Sequence, residues 1–218
     1  MQAPKEEESR TQEAGEDAGA PSEAHKGWYS RNYLPHFDAP GLQQSITFRL
    51  FDAVPLAVLE DWREDLGWLE SLPATDPRVV ELQNRIARYE DAHHGECWLR
   101  QPAIAQMVED ALLHFDAQRY RLLAWCIMPN HVHVLIEMCD GWPLDDILHT
   151  WKSYTAHEAN RMLRRTGPFW FREYFDRFIR NEEHYRNTVE YIINNPVKTG
   201  LAGRPEAWRF SSAHRQES

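Results

Sequence analysis

Two short segments of this chain carry residues whose types and spacing could do chemistry. The first is Trp125-Cys126-Ile127-Met128-Pro129-Asn130-His131-Val132-His133-Val134-Leu135-Ile136-Glu137. Its alternation predicts a strand, on which residues two apart share a face. His131 and His133 then point one way, and Val132, Val134 and Ile136 point the other way, into a core. Two adjacent imidazoles can ligate one divalent metal, or they can be two surface histidines on a half-buried strand. The second segment is Thr188-Val189-Glu190-Tyr191-Ile192-Ile193-Asn194-Asn195-Pro196-Val197-Lys198-Thr199-Gly200. On a helix, Tyr191 and Asn195 are four apart and share a face, away from Val189, Ile192 and Ile193. A phenol and an amide oxygen would project together. The same residues also read as a packed tyrosine followed by an Asn-Asn-Pro helix stop.

The elements that must position these residues are legible from periodicity. Ser45–Phe51 alternates as a strand. Residues 55–97 interrupt with two acidic helix-like stretches, 55–70 and 77–92, expected to be a helical insertion without a core of its own. Pro102–Ala117 has helical spacing at Ile104, Met107, Val108, Ala111, Leu112 and Phe115, with Pro102 suited to the first turn. Strands Arg121–Met128 and His131–Met138 meet at a tight Pro129-Asn130 turn. A helix is expected over 143–165 and an aromatic strand over Phe169–Ile179. Asn181 caps a last helix with Glu182 and Glu183 in its first turn; Pro196 is expected to stop it near Asn195. The order predicts an α+β fold. Its core is a ferredoxin-like βαββαβ antiparallel sheet with helices on one face, and an additional C-terminal helix carrying Tyr191 partly covers the other. Residues 1–26 read as a disordered acidic tail, and 27–218 as a single domain containing the insertion.

Composition restricts the partners. The chain has 218 residues, 24 Lys/Arg and 34 Asp/Glu, a net charge of −10. That alone argues against a polyanion, but residues 151–218 hold twelve Lys/Arg against eight Asp/Glu, so the basic face is C-terminal. Lys152, Arg161, Arg164, Arg165, Arg172, Arg177, Arg180 and Lys198 are the candidate phosphate contacts. A solvated helix face explains Arg161, Arg164 and Arg165 equally well. Three widely spaced cysteines, Cys97, Cys126 and Cys139, exclude a disulfide scaffold and point to a reducing cytoplasm. No apolar run approaches membrane-spanning length, and the acidic N-terminus does not read as a secretory signal.

Taken together, the two segments resemble the HUH endonucleases with a single catalytic tyrosine, most closely the REP-associated tyrosine transposases. A third stretch, Tyr33-Leu34-Pro35-His36-Phe37-Asp38, adds to the likeness, which covers roughly residues 28–54 and 98–212. The resemblance implies that His131 and His133 are the metal-binding histidines, Asn195 completes the metal site, and Tyr191 is the nucleophile. It implies Mg²⁺ or Mn²⁺; the ligand types alone would also permit Zn²⁺. It also implies cleavage and rejoining of single-stranded or hairpin DNA at REP-like elements through a 5′-phosphotyrosine. The chain is expected to be a monomer or homodimer, cytoplasmic and nucleoid-associated, with no membrane partner.

Rivals fail on particular residues. A histidine-triad hydrolase would need a third histidine where Leu135 stands. Plasmid relaxases place their tyrosine before the histidine pair. Rolling-circle initiators usually carry Lys where Asn195 stands. A domesticated DNA-binding protein of the same fold, without cleavage, stays open. Tyr154 reads as packing with Trp151 and Ala159, Tyr174 and Tyr185 lack a polar partner four residues on, His184 reads as a surface residue of the last helix, and His93-His94 read as solvated.

Overall fold

The computed structural model describes residues 25–30, 34–68 and 72–217. Residues 1–24 of the expected tail lie outside these, as does Tyr33. The sheet that carries the histidines has four antiparallel strands: β3 (Gln43–Leu50), β4 (Tyr120–Ile127), β5 (His131–Met138) and β6 (Trp170–Phe178), in spatial order β4-β5-β3-β6. This is the βαββαβ order read from the sequence. Helices α3 (Pro102–His114) and α4 (Leu144–Met162) cover one face. There Ile46, Phe48, Val132, Val134 and Ile136 meet Ile104, Val108, Leu112, Ile147, Leu148 and Trp151. The Trp151 indole donates to the Tyr120 hydroxyl at 2.8 Å, which donates to the Leu112 carbonyl at 2.7 Å. One polar chain thus ties both helices to β4, and no buried donor in it is left unpaired.

The opposite face is shared by two helical elements. Helix α5 (Glu182–Lys198) lies over β4 and β5, where Ile192 packs against Ala124, Cys126, Met128 and Leu135. Asn181 caps it, its side chain accepting from the His184 amide at 2.8 Å. Pro196 does not stop this helix, contrary to expectation: it sits inside α5, which runs to Lys198. A proline in the last turn forfeits one helical hydrogen bond, and the freed end is closed by Thr199 N–H to Asn195 O and Leu201 N–H to Pro196 O.

The insertion forms α1 (Leu56–Asp65) and α2 (Pro77–Asp91), the latter capped by Asp76, which accepts from the Arg78 amide at 2.9 Å. Its apolar residues form a cluster separate from the main core, but one that the insertion does not complete by itself. Val54, Leu59, Leu72, Val79, Leu82 and Ile86 close around Phe171 from β6 and Leu34. Two helices alone could not bury that much apolar surface; the sheet's edge supplies the missing side.

A small hairpin, β1 (Gly27–Ser30) and β2 (Pro35–Asp38), was not foreseen. Its strands are four residues each, and its anchors are buried polar groups rather than an apolar stripe. His36 is fully buried, with Nε2 2.8 Å from Glu173 and Nδ1 bonded to Asp176. Tyr29 donates to Asp145 at 3.1 Å and meets the Tyr174 hydroxyl at 2.6 Å. The last two residues of the expected tail are engaged as well: His25 bonds Asp38 at 2.9 Å and Lys26 pairs with Asp145. Among the described residues no helix is long and apolar enough to cross a membrane.

Candidate functional site

The two histidines are aimed by their neighbours. Antiparallel register sets Thr47 opposite His133 and Arg49 opposite His131. Asn130, fully buried at the turn before β5, donates its amide to the His94 carbonyl at 3.0 Å. That fixes which end of the amide is oxygen, and this oxygen accepts from His131 Nδ1 at 2.8 Å. The proton therefore sits on Nδ1, and His131 Nε2 presents a lone pair. His133 Nδ1 lies 2.8 Å from the Thr47 hydroxyl; when it donates there, His133 Nε2 presents a lone pair too. The two Nε2 atoms are 3.0 Å apart. Second-partner hydrogen bonds of this kind are what hold ligating imidazoles in one tautomer and orientation.

Helix α5 brings the second segment onto the same spot. The Asn195 amide nitrogen is 3.1 Å from His133 Nε2, and its carbonyl oxygen is buried without a partner. Turning the amide over would place that oxygen at the histidines. Two converging nitrogen lone pairs and an orphan carbonyl oxygen are a donor set that a divalent cation satisfies. The residues present fit such an ion. Burial, together with the neighbouring His133, His93, Lys198 and Arg49, holds the His131 imidazolium well below its usual range. Burial, opposed by Asp91 and aided by Lys198, brings His133 down to about 4. Both rings are neutral at physiological pH, the state a metal ligand needs.

Tyr191 stands at the mouth. Its ring is 42% exposed and meets the His133 ring edge-on, with centroids 5.3 Å apart. Burial around the hydroxyl, with the Asp91 and Glu90 carboxylates, pushes the phenol up to about 12, so at rest it keeps its proton. Lys198 Nζ lies 5.6 Å from the Tyr191 ring centre and is paired with Asp91 at 2.7 Å. Asp91 and Glu90 end α2, so the insertion reaches the site. Glu90 is buried beside Arg49 at 3.9 Å, and burial pushes its carboxyl up to about 7. A cavity of about 340 Å³ lies between α2, the sheet and α5, lined by Thr47, Arg49, Glu90, His133 and Tyr191 among others.

The structure thus gathers His131, His133, Asn195 and Tyr191, and it sorts the predicted cations. Lys152 donates to the Phe171 and Arg172 carbonyls at 2.7 and 2.8 Å. Arg161 pairs with Glu158 at 2.8 Å and Arg165 donates to the Pro168 carbonyl. Arg164 is exposed just beyond the end of α4 at positive φ, and Arg172 is exposed on β6. Arg177 and Arg180 are exposed on the side of α2 and α5. His94 is exposed, as expected, and its backbone carbonyl orients Asn130, whereas His93 is half-buried with its Nε2 out of reach of solvent. Tyr154 is exposed, while Tyr174 is buried in the hairpin's polar network. Sequence reasoning missed Asn130, Thr47, Glu90 and Asp91. The first two had a signal in strand pairing and in the Pro-Asn turn; the acids of α2 had none.

Residues 100–195 match the family model described as "Transposase IS200 like". The REP-associated tyrosine transposase of Escherichia coli (strain K12) is 29% identical over 111 residues, covering 50% of this chain and 65% of that protein. The match thus spans just under two thirds of that relative's length. A solved REP-associated tyrosine transposase bound to a REP hairpin superposes with a TM-score of 0.52 at 21% identity, covering 86% of this chain and 82% of that one. That likeness shows a shared fold.

Proposed function

We propose that this relative of the REP-associated tyrosine transposases cuts and rejoins single-stranded DNA beside a REP-like hairpin, through a 5′-phosphotyrosine on Tyr191. The observation that carries the reading is the meeting of His131, His133, Asn195 and Tyr191 from two elements 58 residues apart, with the imidazoles held neutral. The Tyr191 oxygen attacks the scissile phosphorus and the bond from phosphorus to the 3′ oxygen breaks. The phenol gives up its proton and the departing 3′ oxygen takes one up. One phosphodiester is exchanged for one phosphotyrosine ester, so the step needs no nucleotide triphosphate and runs backwards to rejoin DNA.

His131, His133 and Asn195 would hold Mg²⁺ or Mn²⁺, which when bound supplies charge neutralisation at the phosphate. The chain's own residues do the rest. Asn130 and Thr47 keep the imidazoles aimed. The His133 ring packs edge-on against Tyr191. Asp91 holds Lys198 over the tyrosine, where a DNA phosphate can compete for it. A hairpin is the partner bound by the solved relative, and the C-terminal third carries the cations that would meet it.

The test is a denaturing gel of labelled hairpin DNA bearing an unpaired flank, incubated with the chain and Mn²⁺ or Mg²⁺. A protein–DNA adduct is expected, and Tyr191→Phe, which removes one oxygen and keeps the ring, should abolish it. An adduct that persists in the Phe variant, or maps to Tyr154 or Tyr185, overturns the assignment. Hairpin binding without any adduct would instead mark a DNA-binding protein that does not cleave.

A further inference from the structure

A second cavity, about 620 Å³, runs beside β6 between the β1–β2 hairpin, the start of α2 and the start of α5. It shares Gln83, Phe175, Arg177, His184 and Asn187 with the cavity at Tyr191 and His133, so the two form one trough. Its far end carries an aromatic stripe. Trp28 is 59% exposed and lies 4.9 Å from Phe37, which lies 5.4 Å from Phe178. Along its floor the Arg177 guanidinium rests over Phe175 at 5.5 Å and Arg180 over Phe178 at 5.7 Å. Among the described residues neither arginine has a carboxylate partner, unlike Arg161 and Lys198. Asp176, also in the lining, is bonded to His36; Glu183 is the other acid there. Partial desolvation against the sheet and repulsion from Arg180 make the Arg177 charge less favourable than usual, which a bound anion would relieve. The outer side of the trough is the insertion: Ala74, Thr75, Val80 and Gln83.

We propose that this trough seats the unpaired DNA strand leading to Tyr191, with bases against Trp28 and phosphates at Arg177 and Arg180, and that inserted helix α2 is the wall that selects an unpaired strand. The proposal rests on the strand-cutting reading above. Exposed aromatic faces beside unpaired guanidiniums match a single strand, whose bases are free to stack and whose backbone carries one charge per nucleotide. A duplex keeps its base faces inside and offers Trp28 nothing to stack on.

The experiment uses the full chain in EDTA and measures anisotropy of a fluorescent unpaired oligonucleotide as salt is varied, with a duplex of the same sequence as competitor. Arg177→Gln combined with Arg180→Gln should lower the slope of log affinity against log salt by about 1.4, two contacts at roughly 0.7 each. Trp28→Ala should weaken binding about tenfold. Gln83→Trp, which narrows the junction of the two cavities, should weaken the unpaired strand and leave duplex binding unchanged. These side chains are exposed or half-buried, so folding is not at stake. An unchanged slope in the double variant, or equal competition by duplex, overturns the proposal. The adduct assay is run in parallel on the natural chain. An adduct alongside unaltered binding in all variants removes the trough and leaves the strand-cutting reading standing. Altered binding without an adduct does the reverse, and no binding of the unpaired strand by the natural chain removes both.

Discussion

Acidification should destabilise this chain through the two histidines of the site, and the size of their contribution follows from their burial. His133 is held near 4 and His131 well below its usual range, whereas in the unfolded chain both titrate near 6.5. Between those values the unfolded chain binds more protons, so stability falls as pH falls below about 6.5. From pH 7 to pH 5 the loss is about 2 kcal/mol for His133. It is about 2 kcal/mol for His131 as well, because over this window the unfolded value sets the cost. His36 works in the opposite sense. Burial alone would lower it, but its bonds to Asp176 and Glu173 raise it to about 9, and it returns about 1 kcal/mol over the same window. Glu90, whose carboxyl burial raises to about 7, returns about 2 kcal/mol more, so the net loss is only about 1 kcal/mol and the histidine contribution has to be isolated by substitution. Urea denaturation followed by circular dichroism, in EDTA at pH 7 and pH 5, measures it. His131→Gln combined with His133→Gln removes both titrations, so the natural chain should lose about 4 kcal/mol more than this variant between the two pH values. Equal losses in the two proteins would refute the argument from burial.

Two further outcomes are expected. Asp91→Asn removes a charge that raises Tyr191 and releases Lys198; the pH profile of adduct formation should move to lower pH by less than about one unit, and a profile that stays put or moves upward would count against it. His36 stabilises fully below about 6.5 and loses that contribution as pH rises through about 9. The natural chain should therefore lose about 2 kcal/mol between pH 7 and pH 9 that His36→Gln does not lose, as read from urea midpoints at the two pH values.

What the sequence determined by itself was whatever depends on the chain's own period. Alternation of apolar residues set the faces of β3 and β5, so His131 and His133 had to share a side. A spacing of four had to bring Tyr191 and Asn195 together on α5, and the βαββαβ order followed from the same two periods. Where local rules gave a wrong answer, a tertiary partner had outweighed them. Pro196 stays helical because Thr199 and Leu201 close the turn around it. The insertion, as expected without a core of its own, buries its apolar side chains only because Phe171 and Leu34 complete their cluster. The β1–β2 hairpin forms on buried polar bonds from His36 and Tyr29 to acids far along the chain. Only the tertiary structure could decide that Asn130 fixes the His131 tautomer and Thr47 holds the His133 ring, that Asp91 takes Lys198, and that Arg177 and Arg180 have no carboxylate partner among the described residues. Hydrogen bonds and ion pairs act over a few ångströms, and residues that far apart in sequence acquire such distances only when the elements pack.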